Sequence, residues 1–233
     1  MRFLWVLLNT VIWTLFFGLP GIFFTIFEKN KGRILGHCAR NWAKFILFFS
    51  GIRYSVKGLE NLDSNSNYIF AGNHASMFDI PLAFAGLPYW LVPIAKVELK
   101  SVFILGWIMN TAGHIWINRK VSRDAINSLD EARKSLLKKP RSILLFPEGT
   151  RTIDGSIGVF KKGGLSFLND TKIPIVPIAF LGTYDLLNKN SFSMKGNDLV
   201  LRIGKPLLLE KSSIKDPKNL AENIRRKVKD LLR

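Results

Sequence analysis

Cysteine is nearly missing from this chain: Cys38 is the only one among 233 residues. No internal disulfide can form, which points to a reducing compartment. Histidine is almost as scarce. His37, His74 and His114 are the only three, no two lie at ligand spacing for zinc, and no metal site is expected. There is no G-x-S-x-G elbow, no P-loop and no G-x-G-x-x-G turn, so a serine nucleophile and a nucleotide cradle are both unsupported. Internal repeats and low-complexity tracts are absent too. Acidic residues are in deficit, 17 Asp and Glu against 34 Lys and Arg, for a net charge of +17.

That charge sits on a chain that is 48% hydrophobic, too apolar for a disordered basic tail. The length suits one domain with an appendage. The positive excess leaves nucleic acid, an anionic membrane or an acidic soluble ligand as partners. Nucleic acid is disfavoured, because no reading module is recognisable and the aromatics concentrate in the apolar N-terminus rather than among the basic residues.

Charge is missing altogether from residues 3 to 27, "FLWVLLNTVIWTLFFGLPGIFFTIF". No small-x-small cleavage site follows it, which argues against a signal peptide. The run is long enough for a membrane span, but "GLPG" at 18–21 is expected to break it into arms too short to cross as one straight helix. Residues 32 to 49 form an amphipathic helix when plotted at about 100° per residue. Arg33, His37, Arg40 and Lys44 make a narrow polar stripe, with Ile34, Leu35, Cys38, Trp42, Phe45, Ile46 and Phe49 opposite; Leu47 and Phe48 drift toward the polar side. Cys38 reads as a small hydrophobe. A cationic stripe opposite an aromatic face describes a helix in a membrane interface. Residues 1–50 are therefore expected to form a two-helix hairpin that dips into one leaflet, and 51–233 a separate α/β domain.

Short apolar runs follow: 67–72, 89–96, 113–118, 142–146, 173–180 and 199–204 read as strands. Several lack alternation, as strands covered on both faces do. Helices are expected between them. One runs from Ser122 to Lys139 with Ala125, Ile126, Leu129, Ala132, Leu136 and Leu137 inside, and one covers about 217 to 232. The pattern implies a central, mostly parallel or mixed sheet flanked by helices.

The strand at 67–72 leads into "NHASMFD", which places His74 five residues before Asp79. A carboxylate reaching imidazole Nδ1 would set the tautomer and leave Nε2 as a base, with the attacking hydroxyl supplied by a substrate. The bland alternative is a helix cap with a histidine nearby. "FPEGTR" at 146–151 follows another strand, at the edge where α/β proteins bind ligands. Its Gly149 permits close backbone approach, and Arg151 offers a planar fork for phosphate. Its bland reading is a turn closed by a Glu148–Arg151 salt bridge. "FKKGG" follows at 160–164; Arg119 closes the strand "GHIWINR", and "VPI" lies at 176–178. His37 and His114 read as structural.

These four elements, in this order, resemble the glycerophospholipid acyltransferases, and among them the 1-acyl-sn-glycerol-3-phosphate (lysophosphatidic acid) acyltransferases. Asn73, His74, Ser76 and Asp79 meet the family's N-H-x-S-x-x-D pattern. Gly113 and Arg119 meet G-x-x-F-x-x-R, with Trp116 where Phe is usual. Phe146 to Arg151, including Pro147 and Thr150, meet F-P-E-G-T-R-S, with Thr152 for the final Ser. Pro177 carries the proline motif, and Lys96 sits where many members have a basic residue. The resemblance spans 52 to about 210.

It implies acyl transfer from a thioester to the sn-2 hydroxyl of lysophosphatidic acid, with His74 as base, Asp79 orienting it and no acyl-enzyme. Arg119, Arg151 and Lys96 would hold the phosphate, while Glu148, Gly149 and Thr150 would bind the acceptor or shape its loop. No resident cofactor is implied, since acyl-CoA or acyl-carrier protein enters as substrate. The expected place is the cytoplasmic face of a membrane, monotopic rather than spanning. Glycerol-3-phosphate or another lysophospholipid is the alternative acceptor, and a non-enzymatic membrane lipid-binding protein is the alternative of another class.

Overall fold

Strands that are apolar along their whole length need cover on both faces, and the computed structural model supplies it. The model describes residues 1–28, 32–118, 122–166, 171, 173–208 and 216–233. Seven strands form one sheet in the order β1-β7-β6-β2-β5-β3-β4. They are β1 (Arg53–Lys57), β2 (Ile69–Gly72), β3 (Leu91–Lys96), β4 (Ile115–Ile117), β5 (Ser142–Leu145), β6 (Ile175–Leu181) and β7 (Asp198–Ile203). Strands β6, β2, β5, β3 and β4 are mutually parallel, whereas β7 is antiparallel to β6 and carries β1 parallel to itself. The mixed sheet read from the sequence is present. The strand at 53–57 was not expected, because its residues alternate between exposed and half-buried and offer no apolar run.

In β2 and β5 the alternating side chains serve two cores. Phe70 and Leu144 enter one, with Leu82, Val176, Phe180 and Leu201. Ile69, Ala71, Ile143 and Leu145 enter the other, with Leu136, Ile224 and Val228. The first core is covered by α2 (Arg33–Phe49) and α3 (Asp79–Gly86), the second by α5 (Ser122–Lys138) and α8 (Pro217–Leu232). Ala132 and Leu136 of α5 are buried as expected. Leu137, expected inside, is 57% exposed, because the core-facing stripe of this last turn passes through Leu136. The side chains at 125, 126 and 129 lie outside the described residues.

The N-terminal segment departs from expectation in an informative way. Helix α1 (Arg2–Thr25) is unbroken and runs through Pro20. The flanking glycines act as contact points rather than breakers. A Cβ on Gly18 would collide with Ile108 of α4 (Leu105–Thr111), and one on Gly21 with Leu35 and Cys38 of α2. Close helix packing thus offsets the single backbone bond that proline removes. The continuous helix is about 36 Å long, so the expected short arms are replaced by one rod.

That rod is tied along its length. Arg2 donates to the carbonyl of Gly196 at 2.6 Å, Trp5 to that of Phe49 at 2.8 Å, and the Trp42 indole to Thr14 Oγ1 at 2.9 Å. Its outer stripe stays apolar and uncovered: Leu8, Ile12, Phe16, Leu19 and Phe23, at steps of four and three, are each more than 40% exposed. Helix α2 begins where Glu28 accepts the N–H groups of Gly32 and Ile34, both at 2.9 Å. Its Ala43 and Leu47 are buried in the first core. Leu47 therefore leaves the polar stripe because that side of α2 rests on the sheet, while Phe48 is 75% exposed.

Candidate active site

Five parallel strands put five carboxyl ends on one edge, and the residues singled out by the sequence gather there from several of them. Strand β2 ends at Gly72, where a Cβ would press within 2.9 Å of Ile178 and Phe180. The Asn73 side chain then extends the ladder: its amide donates to the Phe180 carbonyl at 3.1 Å and its oxygen accepts the Phe180 N–H at 2.9 Å. His74 stands immediately beyond.

Asp79 opens α3 and is fully buried. Its Oδ2 accepts the N–H groups of Ala75 (2.8 Å) and Ser76 (2.9 Å) and lies 2.8 Å from His74 Nδ1. An oxygen that already accepts two backbone donors assigns the His74 proton to Nδ1, which leaves Nε2 as the acceptor. The other oxygen, Oδ1, is buried without a partner among the described residues. Ser76 donates to the Leu187 carbonyl at 2.6 Å and accepts the Phe78 N–H at 3.3 Å, so it secures the turn. The His74 ring stacks on Phe146 at 4.0 Å and 17° and keeps 20% of its side chain accessible. It is neither buried in the core nor free to rotate.

The loop after β5 grips His74 by its backbone. Glu148 Oε1 accepts the His74 N–H at 2.7 Å, and the Thr152 N–H donates to the His74 carbonyl at 2.9 Å. Glu148 Oε2 accepts the Gly158 N–H at 2.8 Å. A Cβ on Gly158 would fall 2.8 Å from that same oxygen, so any larger residue would push the carboxylate out of this position. Arg225 of α8 in turn donates to the carbonyls of Gly158 (2.8 Å) and Ile157 (3.2 Å). Burial lifts the Glu148 carboxyl above its ordinary range, and the two N–H groups pull it partly back. Both Glu148 oxygens are thus engaged in shaping the loop. Among the described residues there is no Glu148–Arg151 salt bridge of the kind a simple turn would use.

Gly149 takes a left-handed φ of +76°, and a Cβ there would stand 3.2 Å from Lys161 Nζ. Lys189 Nζ donates to Thr150 Oγ1 at 3.3 Å. Arg151 is half-buried and holds no ion pair among the described residues. Lys161 and Lys189 were not picked out as site residues. "FKKGG" marked the first without a role, and no local signal marks the second, which arrives from a separate loop. Phe146 was picked as part of "FPEGTR", but its stacking on His74 has no sequence signal.

The remaining candidates are spread out. Lys96 is exposed at the carboxyl end of β3, paired in register with Ile117 at the end of β4. At about 4.8 Å per strand, β3 lies roughly 10 Å and β4 roughly 14 Å from β2. Arg119 lies outside the described residues. Gly113 does not reach the site. It turns the chain at φ +79° on the opposite, amino edge of β4, where its carbonyl accepts from Arg141 at 3.2 Å. Pro177 is inside the sheet opposite Ala71 and accepts the Gly204 N–H at 2.8 Å. His37 is exposed on α2. His114 has an Nδ1 sealed without a partner among the described residues, and burial lowers its ring to about 4, so it is a neutral structural group.

A base steadied by a buried carboxylate, with cationic side chains nearby and the Ser76 hydroxyl committed to the Leu187 carbonyl, is suited to activating a hydroxyl that belongs to a substrate. The family model described as Acyltransferase matches residues 53–181, and the chain belongs to that family. A 1-acyl-sn-glycerol-3-phosphate acyltransferase of Cocos nucifera is 30% identical over 207 residues, 88% of this chain and 65% of that protein. The human 1-acyl-sn-glycerol-3-phosphate acyltransferase alpha is 32% identical over 180 residues, 77% and 64% of the two chains. The crystal structure of the 1-acyl-sn-glycerophosphate acyltransferase PlsC from Thermotoga maritima superposes with a TM-score of 0.76 at 25% identity, covering 99% of this chain and 98% of that one. The chain spans 65% or less of the length of these two curated relatives.

Proposed function

We propose that the protein transfers a fatty acyl group from a thioester to the sn-2 hydroxyl of 1-acyl-sn-glycerol-3-phosphate, giving phosphatidic acid. The contact between His74 Nδ1 and the buried Asp79 carboxylate carries this reading. His74 Nε2 takes the hydroxyl proton as the oxygen adds to the thioester carbonyl. The C–S bond then breaks, and the departing sulfur receives that proton from His74. Asp79 stabilises the imidazolium between the two transfers. Arg151, Lys161 and Lys96 hold the acceptor's phosphate, with Arg119 joining them. No cofactor is resident, and the thioester enters as acyl-CoA or acyl-carrier protein. The +17 charge favours an anionic donor and an anionic lipid acceptor.

The exposed apolar stripe of α1 sits in one leaflet on the cytoplasmic face. A helix bonded to Gly196 of the α/β domain through Arg2, and to α2 through Trp5 and Thr14, favours lying in the interface over crossing the membrane. Such a position lets the enzyme take its acceptor directly from the lipid phase.

The test is thiol release by the full chain in detergent, with lysophosphatidate or glycerol-3-phosphate as acceptor and either thioester as donor. Lysophosphatidate-dependent release that falls by about 10²–10⁴-fold in His74→Ala, with unfolding unchanged, is expected. Release that survives in His74→Ala removes the base, and no release with any pairing removes the activity.

A further inference from the structure

The amino edge of the parallel strands, opposite His74, holds a cavity of about 410 Å³. Ligands of parallel α/β sheets gather at the carboxyl edge, so a polar cavity here calls for its own account. Arg33, His37 and Arg40 of α2, Trp90 beside β3, and Lys138 and Lys139 at the end of α5 line it, and no carboxylate does. Asn67, also on its wall, and His74 are separated by seven residues of extended chain, about 23 Å. The cavity is therefore remote from the chemistry.

Three observations converge on an anion. First, Arg33, Arg40, Lys138 and Lys139 form no ion pair among the described residues. Second, Arg40 is anchored by one guanidinium nitrogen, which donates to the Tyr89 carbonyl at 3.2 Å, while its Nη1 has no partner among the described residues. Third, helix electrostatics explain only part of the charge. Lys138 and Lys139 neutralise the negative pole of α5, but Arg33 lies at the positive pole of α2, where the Glu28 carboxylate is taken up by the N–H groups of Gly32 and Ile34. A phosphate would accept from Arg40 and cancel the mutual repulsion. A smaller adjoining cavity of about 340 Å³, which shares Ser66, Asn67 and Pro140 and is walled by Leu136, Leu137 and Ile173, has room for an apolar substituent of a phosphate ester.

We propose that this cavity is a phosphate-binding site separate from the active site, filled by a lipid headgroup or by a soluble phosphate. The experiment uses the full chain in detergent with inorganic phosphate and pyrophosphate, and on vesicles of phosphatidylcholine with and without phosphatidylglycerol. Three variants are compared with wild type: the exposed pair Lys138→Ser/Lys139→Ser, the pair Lys218→Ser/Lys229→Ser on α8 as a charge-matched control, and Arg151→Ala to remove the proposed active-site phosphate contact.

Binding that weakens roughly 10-fold or more in the first pair, and stays near wild type in the control and in Arg151→Ala, is expected. If the effect is seen with inorganic phosphate or pyrophosphate, the occupant is a soluble phosphate; if only with phosphatidylglycerol vesicles, it is a headgroup. Equal losses in the two lysine pairs, loss in Arg151→Ala alone, or no response of wild type to any probe would each overturn the assignment.

Discussion

The Glu148 carboxylate receives the backbone N–H of His74 at 2.7 Å, so the base is suspended from a residue 74 positions away in the chain. The same side chain holds Gly158, and Gly158 is held by Arg225. Position of the imidazole is thereby shared among β2, the loop after β5 and the last helix.

Glu148→Ala should free two half-buried N–H groups and cost about 1 kcal/mol of stability for each left unsatisfied. Because His74 loses its hold, kcat should fall by roughly 10². Glu148→Gln keeps one accepting oxygen and should lie between. Thermal unfolding and steady-state kinetics on both variants check this. A rise in acceptor KM at unchanged kcat would instead place Glu148 on the substrate.

Asp79→Asn separates catalysis from folding. Its carbonyl can still accept from Ala75 and Ser76, and its NH₂ would occupy the position where Oδ1 now has no partner. The unfolding midpoint should move less than in Asp79→Ala, while kcat drops by about 10²–10⁴ because an amide cannot stabilise the imidazolium. Equal effects of Asn and Ala on both quantities would show that the carboxylate serves only the turn.

Arg151→Ala should raise the KM for lysophosphatidate by roughly 10–100-fold, the worth of one or two charge-assisted hydrogen bonds. The donor KM should hold. A rise confined to the donor would move the phosphate contact elsewhere.

Phe16→Asp with Phe23→Asp places two charges on the uncovered stripe of α1, where neither side chain is buried. Partition onto phospholipid vesicles should fall at least ~10-fold, with unfolding in detergent unchanged. Undiminished partition would assign membrane attachment to another surface.

The sequence made the covered sheet legible, because strands apolar on both sides have few other ways to be satisfied. It also placed the His74–Asp79 pair, since five residues across a strand-to-helix turn leave little freedom. One of its errors comes from contacts with distant segments. Pro20 between two glycines signals a break locally, but contacts of Gly18 with α4 and Gly21 with α2 keep the rod whole. Gly113 turns the chain at the amino edge of β4, a placement that spacing along the chain does not reveal.

Composition, the uncharged N-terminal run and the short-range pairing of imidazole with carboxylate followed from neighbouring residues alone, because each depends on chemistry within a few positions. Strand order, the grip of Glu148 and Thr152 on His74, the cations arriving at residues 161 and 189, and the basic cavity at the opposite edge depended on which distant segments the sheet sets side by side. That choice is made by the simultaneous burial of two cores, a property of the whole chain that no local stretch encodes.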